Sequence, residues 1–224
     1  MAKGAFWVFA LLVLVIVAVV LFFVVVFVLS EPKVEFEGIQ TAALFATVIS
    51  ELVMLWAAWR WSVRKYGCSW ASLGLRLFQL SSGLPFVVAV LLAAFLVNAV
   101  YVFSVTALGW KSLIPSPLPE VFRVRGADMV LVTFLAVGLA PFAEEVFFRG
   151  FFFGGLQARL GFVLAAAVSA LVFSLGHLQL GVLVPIFILG VFLAWLYART
   201  GSLWPCIITH MVYNGLGLLA YQMT

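Results

Sequence analysis

The stretch GLPFVVAVLLAAFLVNAVYVFSVTALG, Gly83–Gly109, carries no charged residue and a single amide, Asn98, near its middle. A helix rises ~1.5 Å per residue, so about 20 mainly apolar residues cross the ~30 Å hydrocarbon core of a bilayer. In lipid a helix also satisfies every backbone N–H and C=O within its own segment. Blocks of the same kind lie on both sides. Ala5–Leu29 and Ile39–Trp59 precede it, and a block from Ala127 into Glu144, then Leu160–Gly176, Leu178–Ala198 and Ser202–Tyr221, follow it. These blocks predict an all-α, polytopic membrane helical bundle of about seven spanning helices, as one integral membrane domain over 1–224. An interfacial helix within 60–82, where Trp61, Trp70 and Leu77 stand among basic residues, would make eight. Composition agrees: 67% of the 224 residues are apolar and 9% charged, against ~45–50% and ~25% in soluble domains. The first block exceeds the ~7–15 apolar residues of a signal peptide and is expected to stay as a helix.

The net charge of +4 is small and its basic residues are scattered between apolar blocks, so no nucleic-acid partner is expected. Two cysteines, Cys68 and Cys206, cannot build a disulfide framework or a thiolate zinc site. Lys and Arg in short loops favour the cytoplasm. Arg60, Arg64, Lys65 and Arg76 therefore predict a cytoplasmic loop, and alternation puts the amino terminus, Arg149, Arg159 and Arg199 on that side too. The segment Lys111 to Arg125 runs against the rule, with basic residues on the expected outer side.

A charge at the centre of a spanning helix costs ~2.5–3.5 kcal/mol on insertion scales, so each such residue is a functional candidate. The largest group is Glu144, Glu145 and Arg149. Glu145 and Arg149, four apart, share a helix face and pair in the favourable order, while Glu144 points ~100° away. The alternative is that both glutamates reach the cytoplasmic interface. Pro141 upstream lacks an N–H and should free the carbonyl of Val137. His177 ends the next block, where a capped surface residue is the plainer reading. His210 and Asn214 lie one turn apart on one face, as a donor pair or as hydrogen-bonding glue between helices. Glu51, inside the second block, is either a proton-relay or substrate-contact group or a buried acid bonded to a neighbouring helix; the second is preferred.

A carboxylate and an imidazole on one water can share its deprotonation, and a His N–H with an Asn amide can hold the resulting oxyanion. The sequence holds no Gly-x-Ser-x-Gly elbow, no His-Glu-x-x-His helix and no glycine-rich phosphate loop. Three motifs in order, Glu-Glu-x-x-x-Arg at Glu144, Glu145 and Arg149, Phe-x-x-x-His at Phe173 and His177, and His-x-x-x-Asn at His210 and Asn214, resemble the CPBP intramembrane protease family. That family includes the Ras-converting CAAX endopeptidases and the bacterial Abi proteins. The resemblance covers Pro141 to Asn214.

It implies a membrane endopeptidase cutting peptide bonds near the membrane surface, in which Glu144 and His177 activate water, Glu145 and Arg149 form a supporting ion pair, and His210 and Asn214 build the oxyanion hole. The implied partners are the lipid bilayer and a peptide or protein substrate, prenylated in the eukaryotic branch of the family. No cofactor is preferred. A zinc-dependent version would use Glu144, His177 and His210, two histidines and one carboxylate with an open position for water.

Rival classes are a small proton-coupled transporter and a non-catalytic membrane scaffold or immunity protein. The hydrolytic reading requires the Glu144, His177 and His210 side chains to converge within about 8 Å. Straight helices oppose this: His177 lies ~24 Å along from Gly161, and His210 only ~13 Å from Gly201.

Overall fold

The computed structural model describes residues 36–67, 69–115 and 127–222. The block Ala5–Leu29, Cys68 and most of the Lys111–Arg125 segment lie outside the described residues. Every regular element among them is helical. Helix α1 (Phe36–Ala58) runs on through a wide π turn (Trp59–Arg64), and α2 spans Leu80–Ala107. A long helical run follows. It comprises α3 (Ala127–Thr133), a π turn (Phe134–Leu139), α4 (Ala140–Glu145), a second π turn (Val146–Phe153) and α5 (Gly154–Leu175). Helices α6 (Leu183–Thr200) and α7 (Trp204–Gln222) close the fold.

Four helical stretches among the described residues are long and apolar enough to cross a bilayer: Leu44–Arg64, Leu80–Ala107, Met129–Leu175 and Leu180–Thr200. The difference from seven has physical causes. One block is not described, and the fourth and fifth blocks share one run. The seventh block is a full-length helix, α7, but Thr209, His210, Tyr213 and Asn214 make it less apolar than the others.

A straight helix over the 47 residues of the Met129–Leu175 run would reach about 70 Å, more than twice the hydrocarbon thickness. The run is broken at Gly161, with φ 70° and ψ 176°. A side chain in that conformation would collide with its own backbone, which is why glycine stands there. The break falls where the fifth block was expected to begin.

Among the described residues of 60–82, α1 runs on through its π turn and no separate α-helix forms before α2 begins at Leu80. A single 3-10 turn (Trp70–Leu73) tucks Leu73 into the core and leaves Trp70 and Leu77 exposed. This connection is pinned to the α6–α7 turn: Arg76 Nε donates to the Gly201 carbonyl at 2.6 Å, and Ser202 Oγ donates to the Arg76 carbonyl at 2.6 Å. Arg76 and the chain after Arg199 thus share one end of the bundle, as the charge pattern predicted.

The outer faces are greasy. Leu92, Leu96 and Phe103 on α2, and Val130, Phe134 and Val163 on the long run, are exposed, an arrangement that water would penalise and lipid would not. Inside, α5 lies along α6, α2 packs on α6 and α7, and α1 packs on α4 and the second π turn. Small residues set the closest approach. A Cβ built on Gly190 of α6 would stand 2.9 Å from the Ala170 Cβ and 3.4 Å from an Arg149 nitrogen. Glycine there lets α6 reach the motif arginine.

Candidate active site

The site begins at a proline. In the first π turn the N–H of Ala140 bonds the Leu135 carbonyl, five residues back. The same register would serve the Ala136 carbonyl from residue 141, which is Pro141 and has no N–H. The orphan is therefore Ala136, not the Val137 carbonyl that an uninterrupted α-helix would free. Asn214 of α7 supplies the missing donor, its Nδ2 standing 2.9 Å from the Ala136 oxygen. This is the glue expected of a polar side chain between membrane helices. It engages one of the amide's two N–H groups.

Five residues on, the two glutamates diverge. Glu145 is wholly buried, and its Oε1 accepts from Arg149 Nη1 at 2.7 Å and from His210 Nδ1 at 3.0 Å. The Arg149 guanidinium lies 4.4 Å over the Phe173 ring and reaches the Gly190 carbonyl at 3.4 Å. Glu145 Oε2 and Arg149 Nε find no partner. The pair expected from the spacing of four is therefore present inside the core, where each side chain has the other to neutralise it.

Glu144 keeps 16% of its side chain accessible and places Oε2 3.6 Å from His210 Nε2. That is ion-pair reach, beyond an ordinary hydrogen bond. His210 thus lies between adjacent carboxylates, one on each ring nitrogen. Phe173 carries both imidazoles on its edges, with ring centroids 5.0 Å from His177 and 5.7 Å from His210. His177 Nδ1 is 2.9 Å from the Phe173 carbonyl. A carbonyl oxygen only accepts, so that nitrogen bears the hydrogen and Nε2 carries a bare lone pair in the neutral ring. By the same logic Arg149 keeps Glu145 an acceptor, and His210 Nδ1 bears the hydrogen between them.

A cavity of about 150 Å³ opens beside this network, lined among others by Glu144, His177, Phe148, Phe173 and Glu51. The structure therefore brings together Glu144, Glu145, Arg149 and His210 directly, and places His177 on the cavity that Glu144 faces. The helix-length conflict is absent, since Phe173 near the end of α5 meets His210 in the second turn of α7. Asn214 is close by but turned to Ala136.

Glu51 departs from the preferred sequence reading: it is buried, yet its Oε2 has no hydrogen-bond partner, and it lines the cavity. Its being the lone acid of an apolar block was the available signal. Nothing in helical spacing told which face of α1 would meet the motif helix.

Among the described residues no group of three His, Cys, Asp or Glu side chains is arranged to hold a metal ion. Glu144, His177 and His210 as placed do not make the three-ligand set that catalytic zinc needs, and no step below is derived through a metal.

Fold and site together define a helical, membrane-embedded protein with a carboxylate–imidazole centre. Residues 126–216 match the family described as type II CAAX prenyl endopeptidase Rce1-like, and that window holds all three motifs. A relative from Bacillus subtilis (strain 168), "Putative membrane peptidase YdiL", is 31% identical over 91 residues, 41% of this chain and 36% of the relative. The alignment thus spans about a third of that protein's length. No solved structure matches. These matches show the segment 126–216 to be similar to that family and to that relative.

Proposed function

We propose that the protein is an intramembrane endopeptidase in which Glu144 and His177 activate a water held in the cavity. The observation that carries this reading is the setting of Glu144: a partly accessible carboxylate at the edge of a buried Arg149–Glu145–His210 chain, facing a cavity shared with the bare Nε2 of His177. Low dielectric around these groups strengthens each electrostatic contact.

In the proposed reaction the water gives a proton to Glu144 as its oxygen bonds to the carbonyl carbon of a peptide. The tetrahedral oxyanion is held by donors, the C–N bond breaks, and Glu144 returns the proton to the leaving nitrogen. The products are a carboxylic acid and an amine, which balances the added water.

His210 is the nearest donor for the oxyanion. Its Nδ1 hydrogen is engaged by Glu145, so donation from Nε2 requires both ring nitrogens to be protonated. As Glu144 takes the water's proton its attraction for His210 falls, which frees the Nε2 hydrogen for the oxyanion. Asn214 contributes its second N–H, the first being held by Ala136.

The substrate proposed is a peptide or protein segment that reaches the site from the bilayer, with lipidation to be tested. The amino terminus is placed on the cytoplasmic side. The test compares new amino termini in membranes holding the wild-type protein or Glu144→Gln at equal levels. Fragments made only by the wild type are expected; an identical fragment pattern from the folded variant would return the protein to the scaffold class. Chelation distinguishes the zinc version: cleavage that survives exhaustive chelation is expected, and loss restored by added zinc would reverse that choice.

A further inference from the structure

The cavity holds a third acid that the proposed hydrolysis leaves unused. Glu51 of α1 is 4% exposed, and its Oε2 has no hydrogen-bond partner. It lines the same cavity of about 150 Å³ as Glu144 and His177. Because α1 packs on α4 and the turn after it, Glu51 is brought from a different helix to the cavity that the motif glutamate lines. A buried, unpaired carboxylate oxygen costs free energy that a hydrogen-bond donor relieves. Among the described residues no lysine or arginine lines the cavity to provide one.

A substrate peptide supplies what is missing. Each residue that enters a dry site brings a main-chain N–H, and each such group must find an acceptor or destabilise the complex. Glu144 and the bare nitrogen of His177 are engaged with the attacking water. His210 attracts the carbonyl oxygen of the scissile bond, which turns the nitrogen side of that bond away from it and into the acid-lined space. The hydroxyl of Ser50 already donates to the Thr47 carbonyl at 2.7 Å. Among the side chains described on the cavity, the acceptor that remains is Glu51.

We propose that Glu51 is a substrate-binding residue whose Oε2 accepts a main-chain N–H on the leaving-group side of the scissile bond, and then the amine formed when that bond breaks. A cavity lined by Glu51 and Glu144 suits an amine product. The proposal rests on the hydrolytic reading above.

The test uses the purified full-length protein and a synthetic peptide spanning a cleavage site found in the Glu144→Gln membrane comparison, with analogues N-methylated one leaving-side position at a time. At one position methylation is expected to lower kcat/KM about tenfold for the wild type. It should do the same for Glu51→Gln, whose amide oxygen still accepts, and should cost less than twofold for Glu51→Leu. Equal losses in wild type and Glu51→Leu at every position would overturn the assignment.

Should Glu51→Leu fold but not turn over, the peptides are compared as competitors for binding to Glu144→Gln with and without Glu51→Leu, with the same expectation. Should Glu51→Leu fail to accumulate, Glu51→Met takes its place. Continued cleavage by Glu144→Gln would instead remove the hydrolytic reading itself, while an inactive Glu144→Gln beside undiminished methyl discrimination in Glu51→Leu would remove the Glu51 role alone.

Discussion

Glu144 and Glu145 are joined by one peptide bond and meet two different environments. Glu145 is enclosed with Arg149 and His210, its Oε1 doubly bonded and its surface fully covered. Glu144 faces a cavity shared with His177 and Glu51, and its nearest ring nitrogen is 3.6 Å away. The rotation of ~100° between neighbours on a helix is enough to separate them. One residue type thus fills two posts: a buried pair that fixes a ring in place, and an open carboxylate with room for a reactant. The comparison predicts that substitutions on the two sides fail in different ways.

The largest effect belongs to the open side. Glu144→Gln keeps size and polarity but cannot take a proton, so cleavage is expected to fall by about 10²–10⁴-fold with the thermal midpoint in detergent nearly unchanged. A large drop in that midpoint would show that Glu144 is structural after all and would erase the contrast with its neighbour. On the closed side the order reverses. Arg149→Met leaves Glu145 buried without its cation, for which about 3–5 kcal/mol of destabilisation is expected. Unfolding in a denaturing-detergent titration measures it. Pairing it with Glu145→Gln should recover part of the loss, because no unpaired charge then remains.

How far this contrast was legible in the sequence depends on the residue. The Glu145–Arg149 pair followed from a spacing of four and the cost of a charge in lipid, and α2 followed from uninterrupted apolarity. The motif residues stood out because an apolar background makes each polar group conspicuous. The further contacts of Arg149 were not legible, since only three-dimensional packing shows it over Phe173 and against Gly190. The shared face of His210 and Asn214 on α7 was legible from their spacing of four, but their partners, Glu145 and the Ala136 carbonyl, were not. The position of Glu51 on the cavity was beyond reach for a simpler reason. Contacts between α1 and α4 join segments far apart in the chain, and one sequence carries no signal about which faces meet.

A smaller effect tests how the long run is divided. Gly161 holds a positive φ at the junction between the motif limb and the limb that carries Phe173 and His177. Gly161→Ala forces a Cβ into that conformation, at about 1–3 kcal/mol. Space does not oppose the change, since a Cβ there would meet nothing within 4 Å, so the loss is one of backbone strain alone. If Gly161→Ala is as stable as the wild type in the same titration, the break is not a fixed feature of the run, and both imidazoles would need another reason to meet at Phe173.

The smallest expected effect separates the two jobs open to Asn214. Its Nδ2 donates to the Ala136 carbonyl that Pro141 leaves without a partner, a bond of about 1 kcal/mol between membrane helices. Asn214→Leu should cost roughly that much stability. Pro141→Ala restores a backbone N–H at position 141, and in that background the Ala136 carbonyl has its own donor, so Asn214→Leu should cost little further. Catalysis gives the complementary reading, because an amide that also serves the oxyanion is not replaced by a backbone donor on another helix. A cleavage defect in Asn214→Leu that persists beside Pro141→Ala assigns the side chain to the reaction. A defect that vanishes together with the stability loss assigns it to the closed side with Glu145, where its work is to hold α7, and with it His210, against the π turn.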